Sequence, residues 1–459
     1  MNVSTLLAIA AGRLTVQATR RLRLGGGTAL PGLLALRIAP DFLTTAGRTL
    51  PQGAVLIAGT NGKTTTARLL AGTLESAGLT IVHNRSGSNL PRGIAATLLE
   101  TIDWSGTVHR DLGIFEVDEF ALPEIAQALR PRLLVLLNLF RDQLDRYGEL
   151  ETIVRVWERA LDSLPLETLL VVDADDPILA ALTERFADRR WTFGLADPRI
   201  ALPALPHAAD WRSCPRCGAP LAYEQVFLGH LGAYRCTACP FARPPLTVAG
   251  RCVRTEHGLL AVEAVSDERE LVLQSQLTGV YNAYNVLAAA TASLALGLAP
   301  EQLAAGLAGV TAAFGRQERV ELAGRTVTLL LVKNPTGFNE AIRLIAGAAQ
   351  PQPVLILIND LDADGRDVSW LWDVDLEPLQ ALSAPVSTGG IRSAEMALRL
   401  AYAGIAPAHQ FAGVATALDR WVETLPPGSG GWVLATYTAL LELRRELARR
   451  GLAREFWRQ

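Results

Sequence analysis

The fold is decided by Ala54-Val55-Leu56-Ile57-Ala58-Gly59-Thr60-Asn61-Gly62-Lys63-Thr64-Thr65. The first five residues are apolar, as in a buried parallel strand, and helical spacing of leucines follows from Thr65 to Ala77. A glycine-rich turn between a strand and a helix directs several backbone N–H groups into one concavity at the positive end of the helix dipole. The stretch therefore predicts a phosphate-binding loop, in which Lys63 reaches the β- and γ-phosphates and Thr64 offers a hydroxyl to Mg²⁺.

The loop departs from the strict Walker pattern at one position, where Ile57 replaces a glycine, so it matches the shorter Gly-x-x-Gly-Lys-Thr form. The alternative is a glycine turn with an accidental lysine. It is disfavoured because the strand, the loop, the helix and the Lys-Thr pair are in register. The predicted nucleotide-binding residues of the loop are Gly59, Thr60, Asn61, Gly62, Lys63, Thr64 and Thr65.

Carboxylates follow the next apolar run, at residues 112–117. The carboxyl ends of parallel strands are where α/β sheets bind ligands, and Mg²⁺ prefers oxygen donors. Glu116 is therefore the predicted magnesium ligand beside Thr64. A solvated acidic turn is a fair explanation of Asp118 and Glu119, and a weaker one of Glu116.

Further short apolar runs predict buried strands at residues 133–137, 169–172, 327–332 and 354–358. Helical segments alternate with these runs, which indicates a doubly wound, mainly parallel α/β sheet. A chain of 459 residues is too long for one core. We expect an N-terminal helix and loop at 1–45, with the loop around residues 25–27 and Pro31. An ATP-binding domain should follow at 46–314, and a smaller C-terminal α/β domain at 315–459.

Paired cysteines interrupt this pattern between residues 211 and 245, which predicts an inserted module. The spacing is Cys-x₂-Cys, eighteen residues, Cys-x₂-Cys, formed by Cys214, Cys217, Cys236 and Cys239. Four thiolates at this spacing are typical of a closed, tetrahedral, structural Zn²⁺ site, a zinc ribbon. Two redox disulfides are the less favoured alternative in a reducing compartment. The unpaired Cys252 is interpreted as a small buried residue.

The bulk composition excludes other classes of protein. A net charge of -3 offers no basic field, so we expect no nucleic-acid partner, not even for the zinc ribbon. The cysteine usage and the absence of a 20-residue apolar run predict a cytoplasmic protein. Arginines follow the apolar N-terminus rather than preceding it, unlike in a secretory signal; they are Arg13, Arg20, Arg21 and Arg23. We prefer an amphipathic helix packed on the protein, with a basic helix resting on a membrane surface as the alternative.

Four segments make the chain resemble the Mur ligase superfamily. They are Gly-Thr-Asn-Gly-Lys-Thr-Thr-Thr at 59–66, Asn-Leu-Phe-Arg-Asp-Gln-Leu-Asp at 138–145, Tyr-Asn-Ala-Tyr-Asn at 281–285 and Gly-Arg-Gln-Glu-Arg at 315–319. The resemblance implies that ATP and Mg²⁺ are cofactors. It also implies that Asn282 and Asn285 lie on the adenine side of the nucleotide and that Arg316 belongs to the nucleotide site.

Two positions depart from that superfamily. The histidine that helps to hold a second Mg²⁺ is replaced by Gln143, and no lysine occurs from 142 to 170, where many members carry a carbamylated one. A second metal held in the usual way is therefore in doubt.

A zinc ribbon inside a Mur-type domain narrows the resemblance to the MurT family, the synthetase subunits of lipid II isoglutaminyl synthases. Residues 333–340 and 364–373 are similar to that family's C-terminal stretches. The resemblance implies ATP-dependent amidation of the α-carboxylate of D-glutamate in the lipid II stem peptide. The reaction would pass through an acyl phosphate that Lys63, Glu116 and Mg²⁺ help to form, and ammonia would be the nucleophile. The substrate would be met at the inner face of the plasma membrane.

The family resemblance also implies a partner. Ammonia comes from a GatD-type glutaminase in a heterodimer, and an aspartate of the synthetase orients the histidine of that glutaminase. Asp367 holds the matching position. The alternative for Asp367 is a turn or helix-capping aspartate, and Asp360, Asp362 and Asp364 are rival candidates.

Two other functions are compatible with an ATP-binding loop. One is another Mur-superfamily ligase that adds an amino acid, as folylpolyglutamate synthases do, and it needs no glutaminase. The other is a non-catalytic scaffold that uses nucleotide binding as a switch. Turnover with ammonium, glutamine or amino acids separates the three.

Overall fold

The computed structural model describes residues 3–21, 29–84, 88–142, 150–207, 209–256, 259–310, 316–348, 350–382 and 384–452. It begins with three helices, α1 (Val3–Arg21), α2 (Leu30–Ile38) and α3 (Phe42–Gly47). The loop that we expected around Pro31 is instead the first turn of α2, because proline suits a position whose N–H lacks a helical partner. Residues 25–27 of that expected loop lie outside the described residues. None of the described helices is long and apolar enough to cross a bilayer.

The first sheet contains nine strands among the described residues. They are β1 (Ala54–Ala58), β2 (Ile81–His83), β3 (Leu112–Glu116), β4 (Leu133–Leu136), β5 (Leu169–Asp173), β6 (Arg190–Leu195), β9 (Val248–Glu256), β10 (Leu259–Ser266) and β11 (Arg269–Ser275). Their order is β11-β10-β9-β6-β5-β4-β1-β3-β2, and all pairs are parallel except those that β10 makes with its two neighbours. The doubly wound, mainly parallel sheet is thus confirmed.

Helices cover both faces of this sheet. They are α4 (Lys63–Ser76), α5 (Pro91–Thr101), α6 (Leu122–Leu129), α7 (Leu150–Asp162), α8 (Pro177–Leu182), α9 (Val280–Ala295) and α10 (Pro300–Ala308). The N-terminal helices pack with α5 to α8 on one face, around the fully buried Phe42, Phe115 and Trp157. Helices α4, α9 and α10 pack on the other.

The predicted inserted module is a hairpin of β7 (Leu221–Leu228) and β8 (Leu231–Cys236), flanked by the two cysteine pairs. Its own small core contains Leu221, Tyr234 and Phe241. The end of the hairpin, Phe227 to Leu231, instead joins the core of the first sheet. The module is therefore packed into the domain that carries it.

The second sheet contains five strands among the described residues. They are β12 (Arg316–Leu322), β13 (Arg325–Leu331), β14 (Val354–Leu357), β15 (Val386–Gly389) and β16 (Gly430–Ala435), in the order β12-β13-β16-β14-β15. The pair of β12 with β13 is antiparallel, and the other pairs of this sheet are parallel. Helices α11 (Pro335–Ala346), α12 (Glu377–Ala381), α13 (Ser393–Tyr402), α14 (Val414–Thr424) and α15 (Tyr437–Arg449) surround it. This is the expected C-terminal α/β unit; its predicted boundary at Gly315 lies outside the described residues.

Candidate active site

Three strand ends meet at the predicted phosphate loop, because β1 lies between β3 and β4 in a parallel sheet. The loop after β1 ends at Gly62, which precedes the first helical residue, Lys63. Gly62 has a φ of +90°, and a Cβ there would lie 2.2 Å from Oδ1 of Asn285. Only glycine fits this position, both for its backbone angle and for the close approach of α9.

Lys63 folds back over the loop. Its Nζ donates to the carbonyl of Gly59 at 2.5 Å and to Oε1 of Glu119 at 2.6 Å. Burial alone would lower the pKa of Lys63, but surrounding carboxylates, chiefly Glu119, hold that pKa above its usual value. The solvated turn that could explain Glu119 from sequence is wrong, since Glu119 and Asp118 are both buried.

Thr64 and Glu116 lie together, as predicted for two ligands of one Mg²⁺. The Thr64 hydroxyl donates to Oε2 of Glu116 at 2.6 Å. Glu116 is held by Asn84, whose side chain bonds both its N–H and its carbonyl at 3.0 Å. A buried carboxylate and a hydroxyl fit the oxygen preference of Mg²⁺.

The segment after β4 fixes the loop from the other side. Asn138 accepts from the N–H of Asn61 at 2.8 Å and donates to the Asn61 carbonyl at 3.1 Å. The Phe140 N–H donates to Thr60 Oγ1 at 3.0 Å, and that hydroxyl donates to the Phe140 carbonyl at 3.1 Å. These bonds order the loop backbone. Gln143, the predicted departure, lies outside the described residues.

The two predicted adenine-side asparagines lie on the first turns of α9, and both are buried. Asn285 Nδ2 donates to Asn282 Oδ1 at 2.9 Å, and Asn285 Oδ1 accepts from Thr66 Oγ1 at 3.3 Å. The pair thus reaches the predicted phosphate loop. Arg316 begins β12, but its side chain lies outside what the structure describes.

The C-terminal domain adds two residues to the site that sequence analysis missed. Lys333 donates through Nζ to the carbonyl of Thr60 at 3.1 Å and to the carboxylate of Asp142. Asn334 donates to Asn61 Oδ1 at 3.2 Å while accepting from the Gly337 N–H at 2.8 Å, as the cap of α11. The available signal was an Asn-Pro helix start directly after an apolar strand.

A cleft lies between the phosphate loop and the C-terminal domain. At one end it is lined by polar residues, Asn61, Asn138, Asn285 and Lys333. The remaining lining is largely apolar and aromatic and includes Phe140, Leu228, Leu231, Tyr281 and Tyr284. A mostly apolar cleft with convergent polar groups at one end suits a nucleotide.

Asp367 does not line this cleft. It is exposed, and its carboxylate accepts from the Ser369 N–H at 2.8 Å and from the Ser369 hydroxyl at 2.9 Å. The rival candidates are engaged elsewhere: Asp360 with Arg392, Asp362 with Arg366, and Asp364 with Thr438. Asp367 therefore stabilises a local turn, and its side chain remains exposed.

The four cysteine sulfurs converge. All lie within 4.8 Å of one another, with Cys214 Sγ 3.7 Å from Cys239 Sγ and Cys217 Sγ 3.5 Å from Cys236 Sγ. Four sulfurs about 2.3 Å from one Zn²⁺ in a tetrahedron are spaced by similar distances. The N–H of Ala238 donates to Cys236 Sγ at 3.3 Å and is the main cause of a pKa lowered to about 6, which favours the thiolate. The residues fit a structural zinc site.

Two family models match the chain. The Mur ligase middle domain matches residues 57–208, and the MurT ligase C-terminal domain matches residues 331–440. The first covers the phosphate loop and the acidic residues at the end of β3, and the second covers Lys333 and Asp367.

Whole-chain relatives agree with these models. The MurT subunit of the glutamine-hydrolysing lipid II isoglutaminyl synthase from Streptococcus pneumoniae is 33% identical over 463 residues, covering 99% of each chain. The MurT subunit from Staphylococcus aureus is 30% identical over 389 residues, covering 83% of this chain and 84% of its own. Among solved structures, a pseudomurein peptide ligase type C from Methanothermus fervidus superposes with a TM-score of 0.69 at 19% identity. That superposition covers 87% of this chain and 79% of the ligase and shows a shared fold.

Proposed function

The chain belongs to the MurT family of Mur ligase-type enzymes, and from this premise we propose that it amidates lipid II at the expense of ATP. The substrate group would be the α-carboxylate of D-glutamate in the stem peptide, and the product D-isoglutamine. The observation that carries the proposal is the convergence of Lys63, Thr64 and Glu116 in a chain similar to MurT subunits over its whole length.

The chemistry follows from the weakness of a carboxylate as an electrophile. A carboxylate oxygen attacks the γ-phosphorus, the bond to the β-phosphate oxygen breaks, and ADP leaves an acyl phosphate. Ammonia then attacks the acyl carbon, inorganic phosphate departs, and the nitrogen loses a proton to give the amide. Mg²⁺, held by Thr64 and Glu116, would neutralise phosphate charge.

Two lysines of this chain would assist the phosphoryl transfer. Lys63 is cationic at neutral pH, since its pKa is raised, and lies at the start of α4 where phosphate binds. Lys333 brings a second ammonium from the C-terminal domain to the same loop. Both would stabilise charge that develops on the transferred phosphoryl group.

Ammonia would come from a GatD-like glutaminase partner in a heterodimer. A glutaminase needs a cysteine nucleophile beside a histidine. In the described part of this chain, the four cysteines of the ribbon converge on one another and Cys252 is buried in β9. The exposed Asp367 is free of the ATP cleft and would orient the partner's catalytic histidine.

The N-terminal helix supports action at the inner face of the plasma membrane. Val3, Leu7 and Leu14 form one stripe along α1, at helical spacing, and are 70%, 57% and 66% exposed. The first forty residues contain five arginines and no acidic residue. An apolar stripe on a basic segment suits an anionic lipid surface, where lipid II would be presented.

The test uses purified chain, ATP and lipid II, with ammonium chloride as the nitrogen source. We expect amidation that requires ATP, and a loss of about a thousandfold or more in Lys63→Ala because charge on the phosphoryl group is left unbalanced. Arg68→Ala, on the same helix outside the loop, is the control. Turnover with an amino acid but not with ammonium would identify a different Mur-type ligase. Full amidation by Lys63→Ala would contradict the assigned role of the loop.

A further inference from the structure

The hairpin of the zinc ribbon reaches the nucleotide cleft. Phe227, Leu228 and Leu231, at the end of the hairpin, are 0%, 5% and 1% exposed. They pack in the core formed with α4 and α9 rather than in the cysteines' own small core. Leu228 and Leu231 also line the cleft beside Phe140 and Tyr284. A module predicted to hold a structural zinc ion thus supplies part of the cleft wall.

The hairpin turn is closely packed against the phosphate-loop domain through Phe140. Gly229 has a φ of +55°, and a Cβ there would lie 2.7 Å from Cε1 of Phe140. The ring of His230 lies 4.8 Å from the Phe140 ring, centroid to centroid. The main chain of Phe140 is bonded to Thr60 in the loop. Phe140 therefore contacts both the hairpin of the ribbon and the predicted phosphate loop.

The same hairpin contacts the C-terminal domain. Arg343 on α11 donates through Nη1 to the carbonyl of Phe227 at 2.7 Å and through Nη2 to the carbonyl of Ile200 at 2.5 Å. Helix α11 starts beside Lys333 and Asn334, which reach the loop from the opposite side of the cleft. The hairpin is thus fixed between both domains at the cleft.

We propose that this hairpin is a specificity-determining wall of the nucleotide site, with Leu228 and Leu231 forming the apolar surface on which the purine of ATP rests. The proposal rests on the proposed use of ATP. The phosphates would occupy the polar end of the cleft, at Asn61 and Lys333 next to the phosphate loop, so the base would lie toward the apolar end. Zinc contributes indirectly, because Cys236 ends the strand that Leu231 begins.

The experiment measures binding of a non-hydrolysable ATP analogue and of inorganic tripolyphosphate to the full-length chain by calorimetry, with zinc content determined for every variant. Leu228→Ala and Leu231→Ala should each weaken binding of the ATP analogue about tenfold, since loss of buried apolar contact to a ligand has that order of effect. Tripolyphosphate binding should stay within about twofold, because the phosphate end is untouched.

The matched control is Leu221→Ala, which truncates an equally buried leucine of the same hairpin that does not line the cleft. It should retain the affinity for the ATP analogue. Leu228→Gln, at the more exposed of the two positions, keeps a side chain of similar size but puts a polar amide into the apolar wall. If an alanine variant loses zinc or unfolds, Leu228→Gln is the decisive variant, with selective weakening of the ATP analogue expected.

Unchanged affinity in zinc-loaded Leu228→Ala and Leu231→Ala would overturn the proposal, as would equal weakening of the ATP analogue and tripolyphosphate. If the unaltered chain bound neither probe, the proposed function itself would fail instead.

Discussion

At the scale of single residues, Asp367 is the position where this chain would enter the chemistry of a partner. Its carboxylate accepts two bonds from Ser369 yet remains exposed, outside the ATP cleft. Asp367→Asn should therefore lower glutamine-driven amidation roughly a thousandfold when the glutaminase is present, since the partner's histidine loses its orienting charge. Ammonium-driven amidation should survive. Parallel assays with the two nitrogen sources measure both.

Asp362→Asn is the control for that experiment, because Asp362 is an exposed carboxylate of the same segment and pairs with Arg366 in the described contacts. It should leave both activities intact. Loss of ammonium-driven activity in Asp367→Asn would place Asp367 in the ATP site instead.

Glu340 gives a residue-scale prediction about stability. It lines the cleft from α11, and burial raises its pKa to about 7, although Arg343 lies 3.8 Å away and opposes the shift. The folded state then keeps a proton that the unfolded state releases above its ordinary pKa of 4.5. The free energy of unfolding should fall as pH rises from 4.5 to about 7, and Glu340 should cause no further change with pH above that range.

Glu340→Gln should remove this dependence and be more stable than the unaltered chain at pH 8, by up to about 3 kcal/mol. Urea unfolding at pH 5 and pH 8 measures the difference. Glu377→Gln, at an exposed position of the same domain, should change neither value. Equal stabilisation by Glu340→Gln at both pH values would contradict the assigned pKa.

Residue types in a motif were predictable, but their partners were not. The loop pattern marked Lys63 and Thr64, and the end of the next apolar run marked Glu116, because parallel strands bring their carboxyl ends to one edge of the sheet. Glu119 was missed since an acidic turn is usually solvated, and only the tertiary structure shows that Lys63 lies over it. Lys333 was missed because its distance of 273 residues from Thr60 in sequence hides their contact.

At the scale of elements, loss of the metal site in the zinc ribbon should change both the zinc content and the melting temperature of the protein. Cys236→Ser breaks the set of four sulfurs and should lower bound zinc from one ion per chain to almost none. Because the hairpin is packed into the first domain, the melting temperature should fall by roughly 5–10 °C. Zinc release assays and calorimetry measure the two effects.

Cys252→Ser is the matched control, a buried cysteine in β9 outside the cluster. It should keep its zinc. A Cys236→Ser protein with full zinc content and an unchanged melting temperature would contradict a structural metal site.

Element prediction succeeded where burial is complete on both faces. Strands β1, β4 and β14 appear as uninterrupted apolar runs, and their bounds follow closely from the sequence. Strands β10 and β11 were not predicted, because buried residues alternate with more exposed ones along each strand. Helix α2 was not predicted, because a proline close to several glycines is typical of a loop.

At the scale of the whole molecule, the second sheet closes onto the phosphate loop through a few polar contacts from the end of β13. Two domains with separate cores were predictable from length and from the two series of apolar runs. Their closure over one cleft was not, because it depends on side chains at the ends of elements rather than on periodic patterns. The family resemblance supplied the order of the domains, and the geometry supplied the contacts.

The whole molecule should also bind anionic membranes through α1. Its outward stripe of Val3, Leu7 and Leu14 is exposed while the opposite side packs on the domain; a Cβ at Gly12 would lie 2.6 Å from Leu99 of α5. Vesicles of phosphatidylglycerol should therefore co-sediment with the chain, whereas phosphatidylcholine vesicles should bind it weakly, since each arginine near an anionic surface contributes about 1 kcal/mol. Binding should fall as salt shortens the screening length.

The double variant Leu7→Glu and Leu14→Glu should abolish co-sedimentation, because it places two like charges in the apolar stripe that meets the acyl chains. Leu398→Glu changes an equally exposed leucine on α13 and should bind as the unaltered chain does. Amidation of a soluble stem-peptide substrate should be the same in all three proteins, since α1 contributes no residue to the cleft lining. Full vesicle binding by the double variant would show that α1 is not the membrane contact.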